Sequence, residues 1–228
     1  MGPGIYKLID GSLVHQLRFE TISNNLANIN TKAFKKDILS FNKTLIMKNI
    51  SAVDFTEGPI GYTGNKLDVA LETPGFFKVQ TSQGIRYTRD GAFTLDADGV
   101  LINQNGDSVL GQNGPIRING NGVSINHNGQ VVVDNEPVDK ILVLDFEQRQ
   151  FLRKEGNSYY TYLGKEDDIF HADHVSVQQG YIEGSNVNPT EEMIKMIETF
   201  RAYESAQKAI QCIDEMNGKI INDPGLIQ

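Results

Sequence analysis

Apolar residues recur at intervals of three and four near both ends of the chain, whereas in the middle they alternate over short runs. Near the amino terminus the series is Ile5, Ile9, Leu13, Leu17, Ile22, Leu26 and Ile29. That spacing predicts one apolar stripe on a helix from about Ile5 to Ile29, with Gly11 and Ser12 weakening its first half. Near the carboxy terminus Met193, Met196, Ile197, Phe200, Tyr203, Ala206, Ile210, Ile213, Met216 and Ile220 continue the same steps as far as Pro224-Gly225, where a helix must have ended. Its start is marked by Asn188 as a cap, Pro189 at the first helical position and Glu191 at capping-box spacing. At about 1.5 Å per residue the first helix reaches ~35 Å and the last ~45 Å.

From about Leu67 to Tyr181 the pattern is that of short strands and turns. FFKVQ, SQG and IRYT in succession read as a hairpin, and AFTLDADGVLI reads as a second one. The dipeptides Asp90-Gly91, Asp98-Gly99, Asn105-Gly106, Asn113-Gly114 and Asn128-Gly129 supply the turns that antiparallel strands require. ILVLDF is a continuously apolar strand expected to cross the core. The expected fold is α+β, with the terminal helices paired in coiled-coil fashion around their stripes and a central, mostly antiparallel β domain. Residues 1–30 form the first helix, 31–66 an extended or looped connection, 67–181 the β-rich domain and 182–228 the last helix.

A conflict sits at the end of the first helix. ISNNLANINTKAF packs four asparagines between Asn24 and Asn30. Asparagine suits a helix interior poorly, because its amide competes for nearby backbone groups. Either these residues cap the helix and shape its exit, or their amides meet partners on other chains. The second reading is the expectation here, since two long helices without a third layer leave each stripe half exposed. The alternative placement, in which both helices cover the β domain, remains open at this point.

Composition narrows the function. The formal charge of −8 disfavours nucleic acid and anionic membranes as partners. Lys32, Lys35 and Lys36 form the only obvious basic cluster, and they read as a solvated turn. Cys212 is the single cysteine, so no disulfide closes within the chain, and its place among helical apolar positions suggests a buried thiol. No run of 18 apolar residues predicts a membrane span. The opening MGPGIYKLIDGS does not read as a cleavable signal, and Tyr6 breaks a myristoylation motif.

Enzyme chemistry finds little support. His171 and His174 flank Asp173 near Asp167 and Asp168, but spacing dictates no third metal ligand. His15 and His127 are isolated. Neither Ser12 nor Ser185 sits in a nucleophile elbow, and INGNGVS lacks the third glycine of a dinucleotide fingerprint. Asn42 and Asn49 open N-x-T and N-x-S sequons. No cofactor and no metal are expected.

ISNNLANINTKAFKKD resembles the amino-terminal signature of bacterial flagellar rod and hook proteins, with Ala33 where the family usually has glycine, so that the turn before Phe34 is expected to be built differently. GFFKVQTSQGIRYTRDGAFTLDADGVLINQNGDSVLG is similar to the central motif of the rod subset, and QQGYIEGSNVNPTEEMIKMIETFRAYESAQKAIQ to the carboxy-terminal signature. The opening GIYKLIDGSLVHQ and the chain length most resemble the proximal rod subset, with the distal rod subset as the alternative. The resemblance implies a structural subunit of the basal body on the periplasmic side, exported by the flagellar type III apparatus without signal cleavage. It implies partners among copies of the chain and neighbouring rod proteins, with terminal helices stacked in an inner tube and the β domain outside. It assigns Asn24, Asn25, Leu26, Asn28, Asn30 and Thr31 to subunit packing, and Gly180, Tyr181, Glu183, Gly184, Ser185, Asn186, Val187, Asn188 and Pro189 to the return into the last helix. Stripe residues Met193, Met196, Ile197, Phe200, Tyr203, Ile210, Ile213 and Ile220 join the packing set. A reading from another class is a glycan- or peptide-binding β module oligomerised by its ends, with Tyr159, Tyr160 and Tyr162 as its few exposed-looking aromatics.

Overall fold

The computed structural model describes residues 3–40, 50–120, 122–172 and 174–222. Asn42, Asn49, Asp173 and Pro224-Gly225 lie outside the described residues, as do the side chains of Ile5, Ile9 and Ile220. The chain divides into two compact units, one of Met1–Ala27, Asp37–Ala52 and Asn188–Gln228, the other of Asn28–Lys36 and Val53–Val187.

The first unit is built on helix α1, Pro3–Ala27, and helix α2, Pro189–Asn222, which pack against each other. The start of α2 follows its sequence signal: Asn188 Oδ1 accepts the amides of Thr190 at 3.0 Å and Glu191 at 3.3 Å. The seam between the helices is not the one the stripes predict. Glu192 and Thr199, seven residues apart and so on one face, are buried, as are Ile22 and Asn25 of α1. With Glu192 turned inward, Met193, Ile197 and Phe200 turn outward, and Ile197 and Phe200 are 55% and 52% exposed. Leu13 and Phe19 of α1 are exposed too. The buried part of the seam therefore mixes Ile22 with polar Asn25, Glu192 and Thr199, and an apolar row lies outside it. Cys212 is also exposed rather than buried, because the face that carries it has no cover.

In the second unit ten strands join one antiparallel sheet among the described residues. Its main path runs Leu152–Glu155, Tyr159–Tyr162, Gly84–Thr88, Phe76–Thr81, Ser108–Gly111, Leu101–Asn103 and Phe93–Leu95. The Phe76–Thr81/Gly84–Thr88 hairpin and the Phe93–Leu95/Leu101–Asn103 hairpin fall where the alternation predicts. Val143–Phe146, from ILVLDF, pairs with Phe76–Phe77 on one side and Ile169–His171 on the other, with Val143, Leu144 and Phe146 buried. Two clusters fill the interior, one around Phe77, Phe93, Leu101 and Val109, the other around Phe76, Tyr87, Phe146 and Tyr160. Tyr159 and Tyr160 are buried and Tyr162 is half-buried, so these three tyrosines do not form an exposed aromatic face. His171 ends an edge strand and is exposed.

Glycine at Asp98-Gly99, Asn105-Gly106, Asn113-Gly114 and Asn128-Gly129 takes positive φ, as the turn pattern requires. Asp90-Gly91 does not. Its glycine is needed because Val69 O passes 1.7 Å from where a Cβ would stand. Two further turns place residues other than glycine at positive φ: Asp134-Asn135 and Asn157-Ser158 adopt left-handed conformations and close the hairpins Gln130–Val133/Glu136–Lys140 and Leu152–Glu155/Tyr159–Tyr162.

An internal repeat underlies part of this module. DADGVLINQNGDSVL from Asp96 and NGNGVSINHNGQVVV from Asn119 align without gaps. In the first, Asn103 N donates to Asp107 O and Gly106 N to Asn103 O; in the second, Asn126 N donates to Gln130 O and Gly129 N to Asn126 O. The same backbone pairs close both turns, so one hairpin design is used twice.

Residues 31–66, expected as an extended or looped connection, carry short strands. Asp37–Ser40 pairs with Ile50–Val53, and Ile60–Tyr62 with Tyr181–Glu183.

Candidate assembly surface and its supporting turns

The asparagine-rich exit from α1 resolves residue by residue. In the first unit Asn25 is buried. Its Nδ2 donates to Asp37 O at 2.9 Å and to Glu192 Oε2 at 3.2 Å, and its Oδ1 accepts from Asp37 N at 2.8 Å. Asn25 thus ties α1 to the following strand and to α2. The chain turns back so tightly that its own backbone reaches both ends of the amide. Asn24 is exposed and Leu26 half-buried.

In the second unit Asn28 and Thr31 form a turn of their own. Thr31 Oγ1 donates to Asn28 Oδ1 at 3.1 Å and Thr31 N to Asn28 O at 3.1 Å. Asn30 and Thr31 are exposed. Ala33 follows with φ 53° and no exposure, its N donating to Glu183 O at 2.9 Å. Ala33 takes the left-handed conformation that glycine adopts at least cost.

Lys35, read from the sequence as part of a solvated turn, is wholly buried. Its Nζ donates to Glu183 Oε1 at 2.5 Å and to Thr56 O at 2.6 Å. Burial holds its ammonium pKa below the usual lysine range, against the attraction of Glu183. Arg89 Nε donates to Glu183 Oε2 at 2.7 Å, and its other nitrogens to the carbonyls of Thr73, Gly75 and Leu71. Asn186 is a second amide clamp, accepting Lys36 N at 2.7 Å and donating to Asp54 O and Thr56 O. These partners are far away along the chain, so no local pattern announced them.

Outside these turns, the helices carry a row of exposed apolar residues. Met193, Ile197, Phe200 and Tyr203 are exposed, while Met196, Ile210 and Ile213 are half-buried. Ile194, absent from the expected stripe, is 53% exposed and widens the row. Its signal was readable, since it stands three residues before Ile197 and beside Met193. Phe19, Phe200 and Tyr203, with His15, Gln16 and Thr199, line an apolar groove of about 190 Å³. Among the described residues no group of His, Cys, Asp and Glu is arranged to hold a metal ion. What this arrangement offers is a greasy surface held on a polar frame.

The comparisons with known proteins agree on one kind of molecule. Residues 15–35 match the model described as "Flagella basal body rod protein", residues 70–133 that of the flagellar hook protein FlgE/F/G D1 domain, and residues 178–223 that of the flagellar basal body rod FlgEFG protein C-terminal region. The chain is 31% identical to the flagellar basal-body rod protein FlgF of Caulobacter vibrioides, with all of both chains covered. It is 29% identical to FlgG of Buchnera aphidicola subsp. Schizaphis graminum, covering 96% of this chain and 99% of the relative. It is 28% identical to FlgG of Bacillus subtilis, covering 96% and 97%. Motifs at both ends and in the middle, in one order and over the whole length, place this chain in the flagellar basal-body rod protein family.

Proposed function

We propose that this structural rod subunit belongs to the proximal part of the rod and polymerises through its terminal helices. The outward apolar row of α2 carries the reading: an exposed series from Met193 to Tyr203, on a helix that buries Glu192 and Thr199 instead, is arranged for contact with other chains. Met193, Met196, Ile197, Phe200, Tyr203, Ile210, Ile213 and Ile220, with Leu26, Asn24, Asn30 and Thr31, form the packing set. Asn25 and Asn28 shape the exit turn that presents it. The coiled-coil-like packing expected of the stripes belongs, in this reading, to contacts between copies. Residues 1–30 and 182–228 would form the inner tube, residues 67–181 an outer layer and 31–66 the connection.

The partners are copies of the chain and neighbouring rod proteins. The position is on the periplasmic side of the basal body, reached through the flagellar type III export apparatus without cleavage of a signal. The full-length match to a FlgF protein supports the proximal assignment. A distal position is the second reading, favoured by FlgG relatives of nearly equal identity.

Charging the row tests the assembly reading. Ile197→Glu with Phe200→Glu should leave the circular dichroism of the purified chain unchanged and remove it from isolated basal bodies, with loss of motility. Normal incorporation would overturn the proposal. Immunolabelling along the rod axis separates proximal from distal.

A further inference from the structure

The strap of residues 32–36 is held within the β-rich unit as a ligand is held in a site. Ser158 Oγ donates to Lys32 O, Lys154 Nζ donates to Lys35 O at 2.7 Å, and the same ammonium lies 3.7 Å from the centre of the Phe34 ring. Asn186 N donates to Phe34 O, and Asp54 N to Lys36 O. At the centre stand Lys35, Glu183 and Arg89, all buried: two cations against one carboxylate. Gly58 N donates to Glu183 Oε1 at 2.8 Å, so Oε1 accepts two hydrogen bonds and Oε2 one.

Buried ion networks add little net stability compared with apolar packing, because desolvation offsets the attraction. Their effect is on alternatives: a misplaced or missing charge leaves the others unpaired in a dry site. The strap offers such alternatives, since Lys32, Lys35 and Lys36 are close in sequence. A slip of one residue would bring Phe34 or Lys36 to the socket. It would also place Phe34 or Lys32 where Ala33 has φ 53° with no room around it. Bulky residues bear that conformation poorly.

We propose that the Lys35–Glu183–Arg89 network is a register latch, fixing which residue after the first helix is fastened to the β-rich unit. The latch is separate from the helix surface assigned to assembly and does not depend on that assignment. It predicts that the strap opens on its own when the charge balance is broken, while the sheet stays closed.

Hydrogen–deuterium exchange on the full chain reads this directly. The amides of Ala33 and Lys36 report the strap, and the Phe76–Thr81/Gly84–Thr88 hairpin serves as internal reference. In Lys35→Met and in Glu183→Gln the strap amides should exchange roughly a hundredfold faster or more, with the hairpin unchanged. Lys36→Met, which removes only a partly exposed ion pair with Asp54, should leave the strap protected. Unchanged strap exchange in both network variants would overturn the latch. So would joint loss of strap and hairpin protection, or opening by Lys36→Met to the same degree.

Discussion

Asn25 and Glu192, 167 residues apart in sequence, share a buried hydrogen bond of 3.2 Å between the first and last helices. The bond sets the rotation of α2, because an inward Glu192 commits Met193, Ile197 and Phe200 to the outer face. Asn25→Ala removes this bond and both bonds to Asp37. The expected cost is roughly 2–3 kcal/mol to the helical unit. Faster exchange of the Asp37 amide, which loses its acceptor, checks the prediction; an unchanged rate would contradict it.

Ala33 carries a backbone conformation that suits glycine. Ala33→Gly should raise stability by about 0.5–1 kcal/mol, since relief of left-handed strain outweighs the added freedom of the unfolded chain. Ala33→Val should do the reverse, as a β-branched side chain has neither the conformation nor the space. Urea midpoints of the two variants, compared with the parent chain, decide the matter.

Gly58 is required for a different reason. A Cβ there would stand 2.2 Å from Gly184 O, in the return toward the last helix. Gly58→Ala should cost about 1–3 kcal/mol through forced backbone movement. Gly106→Ala makes a useful contrast, because its site is open and only the positive φ resists. Thermal unfolding of both variants separates crowding from conformational strain.

Tyr159 predicts an alkaline response. Its hydroxyl donates to Asp107 and accepts from Asn103 and Asn105, and burial, followed by the Asp107 bond, pushes its pKa up to about 12. The raised folded-state value means that its contribution is fully present below the ordinary tyrosine pKa of about 10. It is lost as pH rises from there to about 12, because the unfolded chain ionises first. Tyr159→Phe should flatten the stability slope in that window and remove one late-ionising phenol from the ultraviolet titration.

Local chemistry wrote much of this fold plainly. The Asn188-Pro189 helix start, the FFKVQ and AFTLD hairpins and the Asn-Gly turns each rest on contacts within a few residues. The turns at Asp134-Asn135 and Asn157-Ser158 escaped because aspartate, asparagine and serine reached positive φ without glycine. Asp90-Gly91 misled because its glycine serves a crossing backbone rather than a turn. Lys35 could not be read at all: Glu183 lies 148 residues away, and nothing near Lys35 marks it as buried. The helix stripe was legible as a pattern, but its direction was not. Periodicity shows that a face is apolar, while the Asn25–Glu192 contact decides which way it looks.

A helical hairpin that turns a row of oily side chains outward makes each lone copy a poor solute. Such a molecule is safe only when dilute, shielded or already built in. Its supply must then keep pace with its use, and overproduction without a growing end to receive it should yield precipitate rather than a larger store of ready parts.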